Sequence, residues 1–306
     1  MRPGHCACIV AVLSCAGCGL APAREPPARE VSGAPDQTVA GAPKPTPTSP
    51  SPSPSTPPSA EPLTPPLPGY QLVWHDEFDG TSVDTTRWNV EVGPRHDATN
   101  GPDALSVHDG LLNFTTYTDA AGHHTGFLDT VGKFAARYGY FEARVRLGTR
   151  AGEWCSWWNI SPTYGNPIGD PGLAGTEIDI FEHRFTDNLG FVIKDMIQVG
   201  VNYDGFGAQW KRDYRTLALP SGAPLWGEWH TYAALWDESG YTFYVDEQPI
   251  WASTNAVSNQ AHAVYLTCEV DVNNWAGQPP DGGYAAPGAS PPDMEVDWAR
   301  VWQKAP

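Results

Sequence analysis

No phenylalanine, tryptophan or tyrosine occurs before Tyr70, although the 306-residue chain carries 13 tryptophans, 12 tyrosines and 10 phenylalanines. A segment without aromatics has little with which to build a core. The folded part is therefore read as one domain over 69–306, large enough to bury most of its apolar surface. Basic residues are scarce: 18 Lys and Arg stand against 35 Asp and Glu, for a net charge of −17. The first 68 residues balance Arg2, Arg24, Arg29 and Lys44 against Glu25, Glu30, Asp36 and Glu61, so the negative excess belongs to the folded part. Such a surface argues against nucleic acid and anionic membrane as ligands. It also disfavours a heavily sulfated polymer, unless a local basic patch overrides the field. A neutral polysaccharide meets no such repulsion. Long helical periodicity is absent, and no internal repeat of 20–50 residues recurs, which excludes a propeller or solenoid. No His/Cys cluster speaks for zinc. Only Cys155 and Cys268 fall in the folded part, both in apolar, strand-like surroundings. Two readings stay open for them: an oxidised pair in an exported protein, or two buried free thiols.

The N-terminus supplies what the rest lacks. A short basic start leads into an apolar run, Cys6 to Cys18, rich in small residues, which reads as an export signal over 1–18. The run is too short for a comfortable transmembrane helix. Ala16-Gly17-Cys18 is similar to the end of a bacterial lipobox, with Cys15 where Leu is usual. The expectation is cleavage before Cys18 and lipid attachment to it, with Cys15 the weaker acceptor; otherwise the protein is secreted. Residues 19–68 form a tether dominated over 22–68 by Pro, Ser, Thr and Ala. Such sequence favours an extended polyproline-like chain and, at roughly 3.1 Å per residue, could hold a domain about 140 Å from its anchor.

The domain itself reads as short β-segments between turns. Gly69–Trp74 and Leu111–Tyr117 are strand-like, the latter following the turn signal Asp109-Gly110. Tyr138–Leu147 alternates, placing Glu142, Arg144 and Arg146 on one face; Glu142 either faces the cleft or pairs with Arg144 or Arg146, a surface ion pair being the expectation. Tyr241–Val245 and Met294–Trp302 alternate as well. Many short strands at this spacing indicate an all-β sandwich or barrel.

The densest chemistry lies in Glu177-Ile-Asp179-Ile-Phe-Glu182. Strand alternation puts Glu177 and Asp179 on one face and the isoleucines on the other. A strict count would then place Phe181, not Glu182, with the acids. One extra residue, a β-bulge at Phe181, would bring Glu182 round to join them. Like charges crowded on one face repel, and two carboxylates with a third tuning their protonation is the equipment for cleaving a glycosidic bond with retention. Taken alone, the hexapeptide also fits a solvent-facing acidic strand or a calcium site. His183, next in line, points away from the acids and reads as a buried, hydrogen-bonded histidine.

Several segments in fixed order now resemble glycoside hydrolase family 16, the laminarinase, lichenase, agarase and carrageenase family. They include Leu72–Gly80, Tyr138–Arg144, Gly152–Trp158, Thr176–His183, Trp229–Ala233, Tyr241–Asp246, Glu269–Gly277 and Glu295–Val301. The resemblance implies a concanavalin A-like β-jelly roll, a sandwich of two curved antiparallel sheets with a substrate cleft on the concave face. It implies Glu177 as nucleophile, Glu182 as acid/base and Asp179 as the assisting carboxylate. Trp154 and Trp158 match cleft-lining positions, and alternation sets both opposite Trp157. Trp275 matches a further family tryptophan. Sugar C–H faces stack on such indoles. Trp74, Trp236, Trp298 and Trp302 are read as packing.

No cofactor is expected for catalysis. A structural calcium on the convex side is common in the family, and Glu77, Gly110 and Asp297 are its matching candidates. The expected function is a retaining endo-β-glycosidase acting on an extracellular polysaccharide by double displacement, with β-glucan the first substrate and galactan the second. The expected state is monomeric, with membrane contact only through the lipid anchor. The rivals are a transglycosylase on the same scaffold and a non-catalytic carbohydrate-binding surface protein. Departures from the family bear on substrate. Thr99–Val107 replaces a common Asn-Asn-Glu segment, Asn202 stands where His is frequent, and the loop Ser161–Pro171 is distinctive.

Overall fold

The computed structural model describes residues 63–289 and 291–306. The chain divides into two units, Met1–Ser53 and Pro54–Pro306, and every described residue belongs to the second. The expected signal, the expected lipid attachment at Cys18 and the expected tether up to residue 62 lie outside the described residues.

In chain order the first strands are β1 (Tyr70–Asp76), β2 (Asn89–Val90), β3 (Gly93–Arg95), β4 (Ala98–Asn100), β5 (Leu105–His108), β6 (Leu111–Phe114) and β7 (Tyr117–Asp119). Next come β8 (Gly122–Thr125), β9 (Phe127–Asp129), β10 (Gly139–Leu147), β11 (Glu153–Ile160), β12 (Glu177–Arg184), β13 (Ile197–Tyr203) and β14 (Lys211–Leu217). The last are β15 (Trp229–Asp237), β16 (Gly240–Val245), β17 (Gln248–Ser253), β18 (Ala263–Val270) and β19 (Met294–Lys304). Among the described residues helix is confined to α1 (Pro171–Ala174) and a 3₁₀ turn at Pro102–Ala104.

One sheet runs β17-β16-β15-β10-β19-β6-β5, with β1 also paired to β19. The facing sheet runs β14-β13-β12-β11-β18-β9-β2, and all its pairs are antiparallel. A small third sheet, β3-β4-β8-β7, contains the parallel pair β4–β8. The architecture is the expected all-β sandwich. The expected strand Leu111–Tyr117 breaks after Phe114, because Thr116 turns its backbone N–H to Asp293 instead of a ladder partner. The Asp109-Gly110 signal is a tight turn between β5 and β6, with both residues at positive φ (56° and 76°). Gly takes that conformation without the penalty a Cβ brings.

Alternation fills the space between the sheets. Phe141, Ala143 and Val145 of β10 and Val296, Ala299 and Val301 of β19 meet Ile178, Ile180 and Phe181 of β12 and Val264, Leu266 and Cys268 of β18. Trp74, Trp157 and Trp236 belong to this core. Trp302 is buried instead in a smaller cluster with Tyr140 and Ala233, against which Leu67 and Tyr70 pack. Trp298 is buried under the guanidinium of Arg300, 3.9 Å from its ring centre.

The surface ion pair expected for Glu142 is not formed. Arg144 pairs with Asp297 and Arg146 with Glu295. Glu142 is buried and accepts a hydrogen bond from Trp302 Nε1 at 2.6 Å. Burial raises its carboxyl to about 7.

Candidate active site on the seven-stranded sheet

The three acids stand on β12, and the register of both neighbouring strands shows how. Against β11, Trp158 faces Asp179 while Trp157 faces Phe181, so Ile180 is skipped. Against β13, Asp179 faces Gly200 and Glu182 faces Gln198, three residues spanning two. The strand thus carries the bulge anticipated at Phe181, with Ile180 as the residue left out of the β11 ladder. Both Ile180 and Phe181 enter the core, which is why the next side chain, Glu182, returns to the face of Glu177 and Asp179.

A short network fixes the acids. Asn202, opposite Glu177 on β13, donates from Nδ2 to Glu177 Oε1 at 2.9 Å and to Asp179 Oδ2 at 2.7 Å. Trp210 Nε1 donates to Asn202 Oδ1 at 3.1 Å, so the orientation of the amide is set by a group that can only donate. Glu182 Oε2 accepts from Gln198 Nε2 at 3.0 Å. Glu177 and Asp179 are buried, and Glu182 is partly open.

All three carboxyls are pushed upward, and burial is the largest cause each time. Glu177 rises to about 8, with the charges of Glu182 and Glu269 adding and Asn202 opposing. Asp179 is raised by burial and then by Glu177, against donation from Asn202. Glu182 is raised by burial and then by Asp179, against Gln198 and the charge of Arg184. Burial and mutual repulsion thus oppose three simultaneous charges, as expected of crowded acids in a low-dielectric site.

Aromatic rings flank the acids. Trp158 stacks on Tyr265 with centroids 4.2 Å apart, and its Nε1 donates to Thr267 Oγ1 at 3.1 Å. Trp154 meets Trp275 edge-on at 5.5 Å. The structure thus places Trp154, Trp158 and Trp275 on or beside the acid-bearing face and sets Trp157 in the core. His183 points the other way. It is buried, its Nε2 donates to the Lys194 carbonyl at 2.7 Å, and burial lowers its pKa to about 4.

A fourth acid was missed in the sequence. Glu269 lies opposite Trp154 on β18 and is gripped by Arg95 Nε at 2.5 Å and by His96 Nε2 at 3.2 Å. Burial alone would raise its carboxyl, but His96 and Arg95 outweigh burial and hold it below the usual range. Glu269 was visible as part of a family-like segment. Arg95 and His96 carried no local signal, since they lie 174 and 173 positions away in sequence. Asn202 stood out only as a departure from the family, and Trp210 and Gln198 not at all.

The calcium candidates are engaged otherwise. Both oxygens of Glu77 accept from Arg300, at 3.0 and 2.7 Å. Asp297 is held by Arg144, and Gly110 sits in the β5–β6 turn. Among the described residues no three His, Cys, Asp or Glu side chains converge on one point. Carboxylates already paired with guanidinium groups do not suit a divalent cation, so no calcium role is derived from them.

Comparison with known proteins agrees with the fold. The chain is 28% identical over 277 residues to glucan endo-1,3-beta-glucosidase A1 of Niallia circulans, covering 78% of this chain and 38% of that one. It is 26% identical over 231 residues to endo-1,3-1,4-beta-glycanase EglC of Rhizobium meliloti, covering 72% and 44%. It thus spans less than half the length of these curated relatives. Among solved structures, the laminarinase from Rhodothermus marinus superposes with a TM-score of 0.62 at 24% identity, over 78% of this chain and 100% of that one, a likeness of fold. The model of glycosyl hydrolases family 16 matches residues 93–300, from β3 into β19 and across the whole acidic strand, and the chain belongs to that family.

Proposed function

We propose that this chain is a retaining endo-β-glycosidase that hydrolyses an external polysaccharide by double displacement, with a β-glucan the first substrate and a galactan the second. The observation that carries the reading is the bulge in β12, which gathers Glu177, Asp179 and Glu182 on one face. Glu177 attacks the anomeric carbon and forms a glycosyl-enzyme. Glu182 protonates the departing oxygen, then takes a proton from the water that releases the sugar. Its raised affinity for a proton suits the first of these steps. Asp179 and Glu177 share the two hydrogens of Asn202, so a proton held on Asp179 leaves Glu177 the charged nucleophile. The stacked Trp158–Tyr265 pair and the Trp154–Trp275 pair offer apolar platforms for sugar rings.

Export belongs to the same reading. Cys155 and Cys268, directly opposite on β11 and β18, are joined by a disulfide, a bond that persists in oxidising compartments. Anchoring through Cys18 is tested by membrane fractionation with and without that residue. Reducing-sugar release from laminarin, lichenan and agarose tests the activity itself. Glu177→Gln is expected to lower turnover by about 10³-fold or more without changing the near-UV circular dichroism. A variant that kept its activity would remove Glu177 as nucleophile.

A further inference from the structure

Residues 63–69 precede β1 and form a strap against the eight-stranded sheet, which lacks the three acids. Leu67 of the strap packs on Tyr140 of β10, Ala233 of β15 and Trp302 of β19. Phe141 and Ala143 face the core, so alternation puts Tyr140 and Glu142 on the outer side of the sheet, remote from the cleft. Two backbone bonds seat the end of the strap. Tyr70 N–H donates to the Leu67 carbonyl at 3.2 Å, and Ala305 N–H donates to the Gly69 carbonyl at 2.7 Å.

The strap and Glu142 share one recess of about 500 Å³, with Thr64, Pro65 and Pro66 among its walls. Glu142 is buried, and its one hydrogen-bond partner among the described residues is Trp302 Nε1. The same indole therefore bonds to Glu142 and packs against Leu67. Pro65 and Pro66 carry no N–H. They shield the recess from water and give an ionised carboxylate no donor.

The charges around the recess do not make up for that. Arg300 of β19 is paired with Glu77 of β1, and Arg144 of β10 with Asp297 of β19. In the turn between β16 and β17, Asp246 is paired with His230 of β15, and the exposed Glu247 has no ion-pair partner among the described residues. The phenols of Tyr140 and Tyr244 are raised by burial and stay neutral. An ionised Glu142 would thus sit out of water near two other carboxylates. Burial is the largest cause that lifts its carboxyl to about 7; Trp302 and Arg300 oppose, and Glu247 and Glu77 add.

We propose that the strap is a pH-sensitive latch, which seats over the protonated Glu142 and lifts from the sheet when that carboxyl ionises. Opening admits water and returns the carboxyl toward the usual value of about 4.3. The closed state then holds the proton more tightly than the open one. Closure is fully favoured below the open-state value and is lost as pH rises toward about 7. Release stops at Tyr70, because β1 stays paired with β19 from there on. The freed residues extend whatever chain leads into the domain by about 20 Å. The latch is independent of the glycosidase reading, since it lies on the other sheet.

Amide hydrogen exchange of the full chain between about pH 5 and pH 8 tests the latch, read at Tyr70 and Ala305. Comparison with Glu142→Gln at each pH cancels the intrinsic exchange rates. The glutamine still accepts from Trp302 and carries no charge. Wild-type protection is expected to fall about tenfold or more relative to the variant across this range. Equal protection in the two proteins at every pH overturns the latch. A reciprocal measurement holds even if Glu142→Gln misfolds. Carbon-13 NMR titration of the Glu142 carboxyl is compared between wild type and Leu67→Ser, which unseats the strap. The wild-type midpoint should lie about one pH unit or more above that of the variant. Equal midpoints would mean that the sheet alone buries Glu142, and would overturn the proposal.

Discussion

Asn202 gives its two amide hydrogens to two different carboxylates, and Trp210 prevents the amide from turning over. Hydrogen bonds to a charged acceptor favour the charged form, so Asn202 lowers the proton affinity of both Glu177 and Asp179 against the burial that raises it. Turnover requires Glu177 ionised, and it falls as pH drops through the pKa of that group. Removing the donor raises this pKa. Asn202→Ala is therefore expected to move the acid limb of the kcat/KM profile upward by about one pH unit, the equivalent of about 1.4 kcal/mol. An acid limb that stayed in place would show that Asn202 does not govern the pair. The three acids could be read from the sequence because strand alternation makes their spacing conspicuous. Asn202 could not be assigned this part, because its partner lies on the neighbouring strand, and one position of register decides whether the two meet.

At the scale of the element, the bulge does the decisive work. Without it, Phe181 would lie among the acids and Glu182 in the core, each the wrong chemistry for its place. The need for an extra residue was legible in the count from Glu177 to Glu182. Which residue drops out of the ladder was not, since Ile180 and Phe181 are equally apolar and both end in the core. β13 answers the bulge with a glycine. Gly200 faces Asp179, and a Cβ there would lie 2.7 Å from Tyr214 Cβ and 3.0 Å from the Asp213 carbonyl, both on β14. Gly200→Ala should push β14 outward, taking Tyr214 with it. The expected loss is about 1–3 kcal/mol of stability by urea melting. An unchanged midpoint would mean that β14 yields freely. The calcium candidates show the same limit of reading: Glu77, Gly110 and Asp297 were matched one by one, while the arginines that pair with two of them lie on other strands.

For the whole molecule, the central strands of the acid-bearing sheet are tied covalently. The Cys155–Cys268 bond joins β11 to β18 across a sequence separation of 113, and both cysteines are buried in the core. Closing so long a loop restricts the unfolded chain, and replacing both cysteines with alanine is expected to cost about 2–5 kcal/mol in denaturant melts. Equal stability with and without the bond would make it incidental. The sequence left this pair undecided, since strand order alone tells whether two apolar cysteines face each other. It did show an all-β sandwich or barrel, because alternation and turn signals are local, and the family resemblance chose the sandwich. Anchor and tether remain expectations from composition. The claim on which the account depends is that one bulged strand presents a nucleophile and an acid/base to the same glycosidic bond. Proton NMR of the first-formed reducing end, taken before mutarotation on a β-linked substrate that the enzyme cleaves, tests this directly. The account predicts the β-anomer, and initial appearance of the α-anomer would contradict it.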